Sequence, residues 1–580
     1  MAGLATSQRA WRWKTPVAAL LAVTLIWIGV TLLSQAAPLK LGRATQITND
    51  GWVKDYGVAS GTPIGFVTDG IRLYFNEYVG DKLVIAEVST SGGESGVVPT
   101  TLFPQIVDIS PRGSELLIKE SAAATEGPLW ILPLPMGAPR RLGNVSADTA
   151  SWLPDGQHIA YIKAPSDLYL VNADGTSNYK LLSKGQMQSV VSSPDGQRLR
   201  LDVWDPEKQS TTIWEAKADG SGLHPPLPED WNKDAQRCCG HWTPDGKYFV
   251  FVTLDDRRSD LWALPECRRP LLGCKPQPVQ LTNGPLSYED LVPSRDGKQI
   301  FAFGKQKRAE LVRFDPRSGQ YVPFLSGISA AHVAFSRDGQ WVTWVNYPEN
   351  TLWCSKADGS DRRQLTYPPL TVLHPRWSGD GKRIAFTTHE PGRPWRIYTV
   401  SRDGGTPEPR FVEEHRQLLA AWGPDDNFMV IGRPNRENPM AIELLDLKTG
   451  KATELPGSQD LWLPAWSPDG KYILAVSRDS LRLMLFDFGT GKWKQLAEGL
   501  TSPPSFSPDS KFAYYEDYSA TAIYRVSVSG GKPERVASFK DLRRPMMPHW
   551  GQWWGLAPNG SLLAMRDLGT QEIYAFDVLP

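Results

Sequence analysis

The sequence predicts an all-β chain: about twelve four-stranded blades in two tandem β-propellers, following one N-terminal transmembrane segment. Three observations carry this. A phrase close to Ser-Pro-Asp-Gly-Lys recurs along 580 residues. An apolar anchor precedes most copies and an alternating strand follows them. Seventeen uncharged residues, Val17 to Leu33, stand near the start.

The phrase is intact at Ser467-Pro468-Asp469-Gly470-Lys471 and nearly so at Thr243-Pro244-Asp245-Gly246-Lys247. Its glycine position falls at Gly70, Gly113, Gly156, Gly196, Gly246, Gly297, Gly339, Gly381, Asp426, Gly470, Ser510 and Gly560. The intervals are 43, 43, 40, 50, 51, 42, 42, 45, 44, 40 and 50 residues. One four-stranded propeller blade takes about 40–50 residues. Pro presets φ for the second position of a type I turn, Asp suits the third, and Gly follows where φ is positive. Four residues before the glycine position stand Phe66, Ile109, Trp152, Ser192, Trp242, Pro293, Phe335, Trp377, Trp422, Trp466, Phe506 and Leu556, ten of them apolar. Alternating strands such as Tyr248-Phe249-Val250-Phe251 come next, then a second hairpin strand such as Asp260-Leu261-Trp262-Ala263. Turns like Ala173-Asp174-Gly175 and Ala357-Asp358-Gly359 lead into a short closing strand.

Twelve blades exceed the four to eight of an ordinary ring. Six plus six places the boundary near Ser326, giving 44–326 and 327–580; seven plus five is the alternative. Thr45 to Gly51 resembles the closing strand of a blade, and Glu572 to Phe576 reads as a third strand with no fourth after it. Pairing of the two would close a ring and cover an exposed edge. On this division the discontinuous ring would be the second.

Residues 1–16 form a short cytoplasmic tail in which Arg9, Arg12 and Lys14 meet no acidic residue. The apolar segment 17–37 nearly spans a bilayer core, and its basic flank sends residues 40–580 across the membrane. Either a retained signal anchor or a signal peptide cleaved near Ala36 fits, with a bacterial periplasm as the destination. With 63 basic and 63 acidic residues, the chain lacks the basic excess of a general nucleic-acid binder. Cys267 and Cys274 flank a short loop suited to a disulfide in an oxidising compartment. Cys238-Cys239 reads as a pair of small buried apolar groups, because vicinal cysteines rarely bond each other.

The repeats resemble the TolB-like propeller family. Longer stretches are similar to the periplasmic sensor half of CadC-type bacterial regulators, where a winged-helix domain, one transmembrane helix and a propeller follow each other. They are Ile47 to Gly51, Cys238 to Phe249, Phe335 to Val342, Leu485 to Trp493 and Arg566 to Ala575. The resemblance implies a sensor role. Only sixteen residues precede the apolar segment, so DNA binding is not carried over to this chain as given; the regulator half was lost, or the start was assigned too late.

Nucleophile-elbow, zinc-protease and phosphate-loop motifs are absent from the sequence. No catalytic, cofactor or metal residue is therefore singled out, and no cofactor is expected. His374, just before the Trp377 anchor, reads as structural with a functional alternative. Asp174, Asp219, Asp358 and Asp403 read as hairpin turns rather than calcium loops. Asp255-Asp256 and Glu413-Glu414 read as solvated charges, and Trp553-Trp554 as packing under the last blade. The expected function is a membrane-anchored extracytoplasmic module binding a protein, peptide or small ligand at a propeller funnel or loop face. Alternatives are a remnant or mis-started CadC-like regulator and, further off, a propeller lyase or hydrolase.

Overall fold

The computed structural model describes residues 38–579, apart from 56–65, 80–81, 121–125, 206–209, 229–230, 232–235, 255–257, 267–276, 390–394, 411–417, 424, 434–439, 500–502 and 548–550. The apolar segment 17–37, the loop from Cys267 to Cys274, Asp255-Asp256 and Glu413-Glu414 lie outside the described residues. No helix among the described residues is long and apolar enough to cross a membrane.

The strands form twelve antiparallel sheets, mostly of four strands in chain order. Every glycine position of the repeated phrase has positive φ, from 58° at Asp426 to 100° at Gly70. The turn chemistry explains the rest of the phrase. At Ser467, Oγ donates to Asp469 Oδ1 (2.8 Å) and accepts from Tyr472 N–H (2.9 Å). Asp469 Oδ1 also accepts from Lys471 N–H (3.1 Å), and Gly470 N–H closes the turn onto the Ser467 carbonyl (2.9 Å). The same lock recurs at Thr243, Ser336, Ser378 and Ser507. Asp174, Asp219 and Asp358 each accept the N–H two residues on, as hairpin-turn residues do.

The chain divides into two compact units, 1–305 with 571–580, and 306–570. Each unit holds six sheets, numbered here as blades by chain order of their first strands. In the first unit these begin at Val53–Asp55 (with Val67–Thr68), Pro104–Ile109, Thr149–Trp152, Gln186–Ser192, Gln236–Trp242 and Ser287–Pro293. In the second they begin at Ala330–Phe335, Thr371–Trp377, Leu418–Trp422, Leu461–Trp466, Ser505–Phe506 and Trp554–Leu556. Twelve buried apolar clusters each join one blade to the next. In the first unit Ile106 packs with Val67, Trp152 with Leu117, Leu201 with Ile162, Phe249 with Ile213, Leu291 with Val250, and Phe75 with Phe301. The sixth blade thus meets the first, and the unit is a closed six-bladed ring. The second unit closes likewise, from Val342 against Leu563 round to Tyr514 against Val312.

The ring boundary departs from the expected 326/327. Strand Gln299–Gln306 belongs to the first ring, whereas Ala309–Asp315 pairs with Leu562–Asp567 in the second. The last strand, Thr570–Leu579, returns to the first ring. It lies between Gln299–Gln306 and Lys40–Gln46, with Thr45 opposite Ala575. So the N- and C-terminal strands do pair, but the discontinuous ring is the first and the second is a continuous insertion. The reason is hydrogen-bond supply: each ring's closing blade takes strands from two distant segments, leaving neither ring an open edge there. Where the chain leaves and re-enters, Leu568 N–H donates to the Arg308 carbonyl (2.8 Å). A Cβ on Gly569 would stand 2.6 Å from the Gln306 carbonyl oxygen, so that crossing requires glycine.

Removing residues 571–580 deletes the third strand of the sixth blade. Limited proteolysis of the truncated protein should then cut within 40–305 while a fragment near 306–570 persists. Equal resistance of both regions would show that the last strand does not hold the first ring closed.

Candidate functional site

The innermost strands carry the buried polar groups, and a β-bulge interrupts most of them. Where the bulge residue stands three positions before the anchor, it can be left-handed: Cys239 has φ 60°, His332 49°, His374 49° and Leu463 54°. A non-glycine residue pays ~1–2 kcal/mol for this conformation. The bulge cancels the strict alternation of side chains, so neighbouring residues turn to one side.

In the first ring this brings Cys238 and Cys239 together as a disulfide, which corrects the expectation of two unbonded cysteines. Both are buried, beside Leu39, Tyr288 and Leu291. Three aspartates of the same ring are enclosed, and each clasps the next blade. Asp108 Oδ2 accepts from Trp152 N–H (2.6 Å) and the Ser151 hydroxyl (3.0 Å). Asp202 Oδ2 accepts from the Ser189 hydroxyl (2.6 Å) and from Cys239 N–H (2.9 Å). Asp290 accepts from Leu291 N–H (2.7 Å) and from the Phe66 backbone. Desolvation outweighs these donors and pushes Asp108 and Asp202 up to about 6; Asp290 is raised well above the usual range by burial and by the charge of Asp202. His241, beside the disulfide, is pushed down to about 4 by burial.

A cleft of about 1020 Å³ opens between the fourth and fifth blades, lined by Arg198, Arg200, Glu215, Glu266 and His224 among others. Its charges satisfy each other. Arg200 bridges Glu215 (2.6 Å) and Glu266 (2.7 Å), and Arg198 reaches Glu266 (2.6 Å). Arg200 also lies over the Trp242 and Phe249 rings, 4.7 and 4.4 Å from their centroids. This network joins two blades and pairs both arginines of the cleft with carboxylates.

The second ring differs. His332 and His374 occupy the same bulge position on adjacent innermost strands, and their rings stand 4.2 Å apart at 66°. Trp553 lies 6.2 Å from His332; Trp554 is buried beneath the last blade as expected. His332 is 2% exposed, and neither ring nitrogen has a hydrogen-bond partner. Burial, then the nearby Arg376 cation, push His332 down to about 3; His374 falls well below its usual range through burial, His332 and Arg376. Arg376 donates to the Pro375 carbonyl (3.0 Å), and its pKa is lowered by desolvation. Among the described residues no Asp or Glu forms an ion pair with it. Arg544, the deeply buried arginine of the same ring, has Glu516 as a partner (3.2 Å). Backbone clasps hold the cluster: Trp377 Nε1 donates to the Ala334 carbonyl (3.0 Å) and Trp422 Nε1 to the Arg376 carbonyl (3.2 Å).

His374 was thus singled out from the sequence, but His332 and Arg376 were not. The signal was present as register: His332, His374 and Cys239 all lie three residues before a blade anchor. Among the described residues no group of three His, Cys, Asp or Glu side chains is placed to hold a metal ion.

No family model matches the chain. Dipeptidyl-peptidase 5 of Porphyromonas gingivalis is 23% identical over 32% of this chain, and an uncharacterised protein of Agrobacterium fabrum 26% over 30%. The chain spans only 37% and 61% of these relatives' own lengths. Similar solved structures include a putative TolB from Agrobacterium tumefaciens (18% identity, TM-score 0.36, 45% of this chain and 99% of that one). The tricorn protease is another (15%, TM-score 0.32, 86% and 52%). The ring architecture itself follows from the sheet connectivity and the blade-to-blade cores.

The enclosed aspartates make a signed pH prediction. The folded pKa of Asp108, about 6, lies above its ordinary 3.8. Its contribution is therefore fully present below about pH 4 and is lost as pH rises through 6. Asp108→Asn keeps an acceptor for Trp152 without the charge. Between pH 4 and pH 7 the variant should gain on the order of 2–3 kcal/mol relative to the parent chain, read by denaturant unfolding. A difference that stays flat with pH would refute the assignment.

Proposed function

We propose that this chain is an extracytoplasmic binding module, held at a membrane by its N-terminal apolar segment, with its ligand-facing surface on the innermost strands of the second ring. The observation that carries this is the contrast between the two rings. In the first, Asp108, Asp202, Asp290 and the Arg200–Glu266 pair each join neighbouring blades. In the second, among the described residues, the part-buried Arg376 has no carboxylate partner and neither ring nitrogen of the buried His332 has a hydrogen-bond partner. A desolvated cation without compensation costs stability, which makes such a group a candidate for a binding site.

The bonded Cys238-Cys239 pair supports an oxidising compartment. So does the basic flank before residue 17. A second reading, the sensor half of a CadC-type regulator, draws on the resemblance of the stretch from Cys238 to Phe249, which contains that disulfide. Both readings assign the rings a binding role rather than bond-making chemistry.

Thiol trapping in intact cells tests the placement. Peptides containing Cys238 and Cys239 should take up a membrane-impermeant maleimide only after a dithiol reductant is added. Cys354, buried and with its thiol pushed up to about 12 by desolvation, should stay unlabelled in the folded protein. Protease added to spheroplasts should degrade the rings. No labelling even after reductant, or rings protected in intact spheroplasts, would contradict the proposed compartment; labelling without reductant would contradict the disulfide.

A further inference from the structure

We infer that His332, His374 and Arg376 form a binding site for a carboxylate monoanion in the second ring, a ligand class that deepens the binding role proposed above. Three side chains from two adjacent innermost strands make the site. The left-handed backbone at His332 and His374 places two imidazoles 4.2 Å apart. That strain is repeated at equivalent positions of neighbouring blades, so it belongs to the design of the surface rather than to one irregular turn.

The polar accounting points the same way. A buried imidazole always carries at least one N–H, and His332 offers it to no protein acceptor. Leaving such a donor unmet costs ~1–3 kcal/mol. Arg376 presents a planar fork of donors, which among the described residues engages one carbonyl, that of Pro375. Two other arginines show fuller engagement: Arg295 donates to the carbonyls of Thr68, Pro111 and Ser110, and the buried Arg544 has Glu516. His332 leaves one donor and one acceptor nitrogen open; the charge and the surplus of donors come from Arg376, so the complementary ligand is an anion that presents mainly acceptors.

Charge matching selects the class. Both imidazoles are held neutral by burial and by the neighbouring guanidinium. The cluster therefore carries one positive charge near neutral pH. A carboxylate brings one negative charge and two coplanar oxygens, which a guanidinium engages in parallel. Inorganic phosphate would bring more charge than the site compensates. Trp553, near His332, supplies an apolar wall for the carbon attached to the carboxylate.

Sodium acetate is the minimal probe, with inorganic phosphate at matched ionic strength as the contrast, both titrated calorimetrically into the full chain at pH 7. Acetate should bind saturably and raise the unfolding temperature; phosphate should do neither. Arg376→Gln should weaken acetate at least ~10-fold, the loss expected for one charge-assisted contact, while its ligand-free unfolding temperature stays equal or rises. A purely structural arginine would instead lower that temperature on removal. The absence of saturable acetate binding by the parent chain overturns the proposal without any variant. So does undiminished binding by Arg376→Gln, a drop in its ligand-free stability, or phosphate binding as tightly as acetate. Because acetate probes the cluster alone, its failure leaves the compartment test of the binding module standing.

Discussion

Closure of each ring through strands that are distant in sequence is the constraint on which the other features rest. Lys40–Gln46 can lie on Thr570–Leu579 only if that strand in turn lies on Gln299–Gln306. The pairing is locked by side chains as well as by the ladder. Thr48 Oγ1 donates to Glu572 Oε2 (2.6 Å) and accepts from Ile573 N–H (2.9 Å). Lys54, fully enclosed, reaches both Asp50 (2.6 Å) and Glu572 (3.4 Å). A buried lysine is tolerated because two carboxylates share it. One salt-bridge cluster thereby joins the first blade to both ends of the ring's sequence.

Once a ring is closed, its innermost strands crowd together, and polar groups there must be satisfied or left with a purpose. The first ring satisfies three of them with backbone donors. Asp108, Asp202 and Asp290 stand at alternate blade junctions, each taking a backbone N–H of the following blade. A backbone donor is always available at such a junction, so one acid per junction suffices to register two blades. The second ring registers blades differently, with tryptophan N–H groups donating to carbonyls of the preceding strand. Asp426 adds a charged clasp by accepting from Gly379 N–H and Asp380 N–H, and these clasps leave Arg376 and His332 outside the network. The division of labour between the rings follows from which polar groups the clasps consume.

The period, the turn chemistry and the anchors were all legible because they are local. Ser467, Asp469 and Gly470 interact within six residues, so their geometry is written in the phrase itself. Even the departures obeyed it: Asp426 and Ser510 stand at glycine positions and still adopt positive φ. The vicinal disulfide was misjudged for the opposite reason. In a regular strand Cys238 and Cys239 would point to opposite faces; a bulge reverses this, and Gly240, packed against the Phe249 ring, helps to form it. Bulges depend on the partner strand, which the local sequence does not name.

Sequence alone determined twelve blade units with their turns and anchors, since each is encoded within a short window, and it offered the pairing of the two terminal strands as one way to close a ring. Tertiary structure alone decided that Thr570–Leu579 belongs to the first ring, that the crossing falls at Gln306–Arg308 and Leu568–Gly569, and that His332 meets His374 and Arg376. These depend on which strand supplies hydrogen bonds to which, and on how two blades face each other. Such choices are settled by competition among many similar strands, and the repeat that makes the blades recognisable also makes their partners interchangeable in sequence.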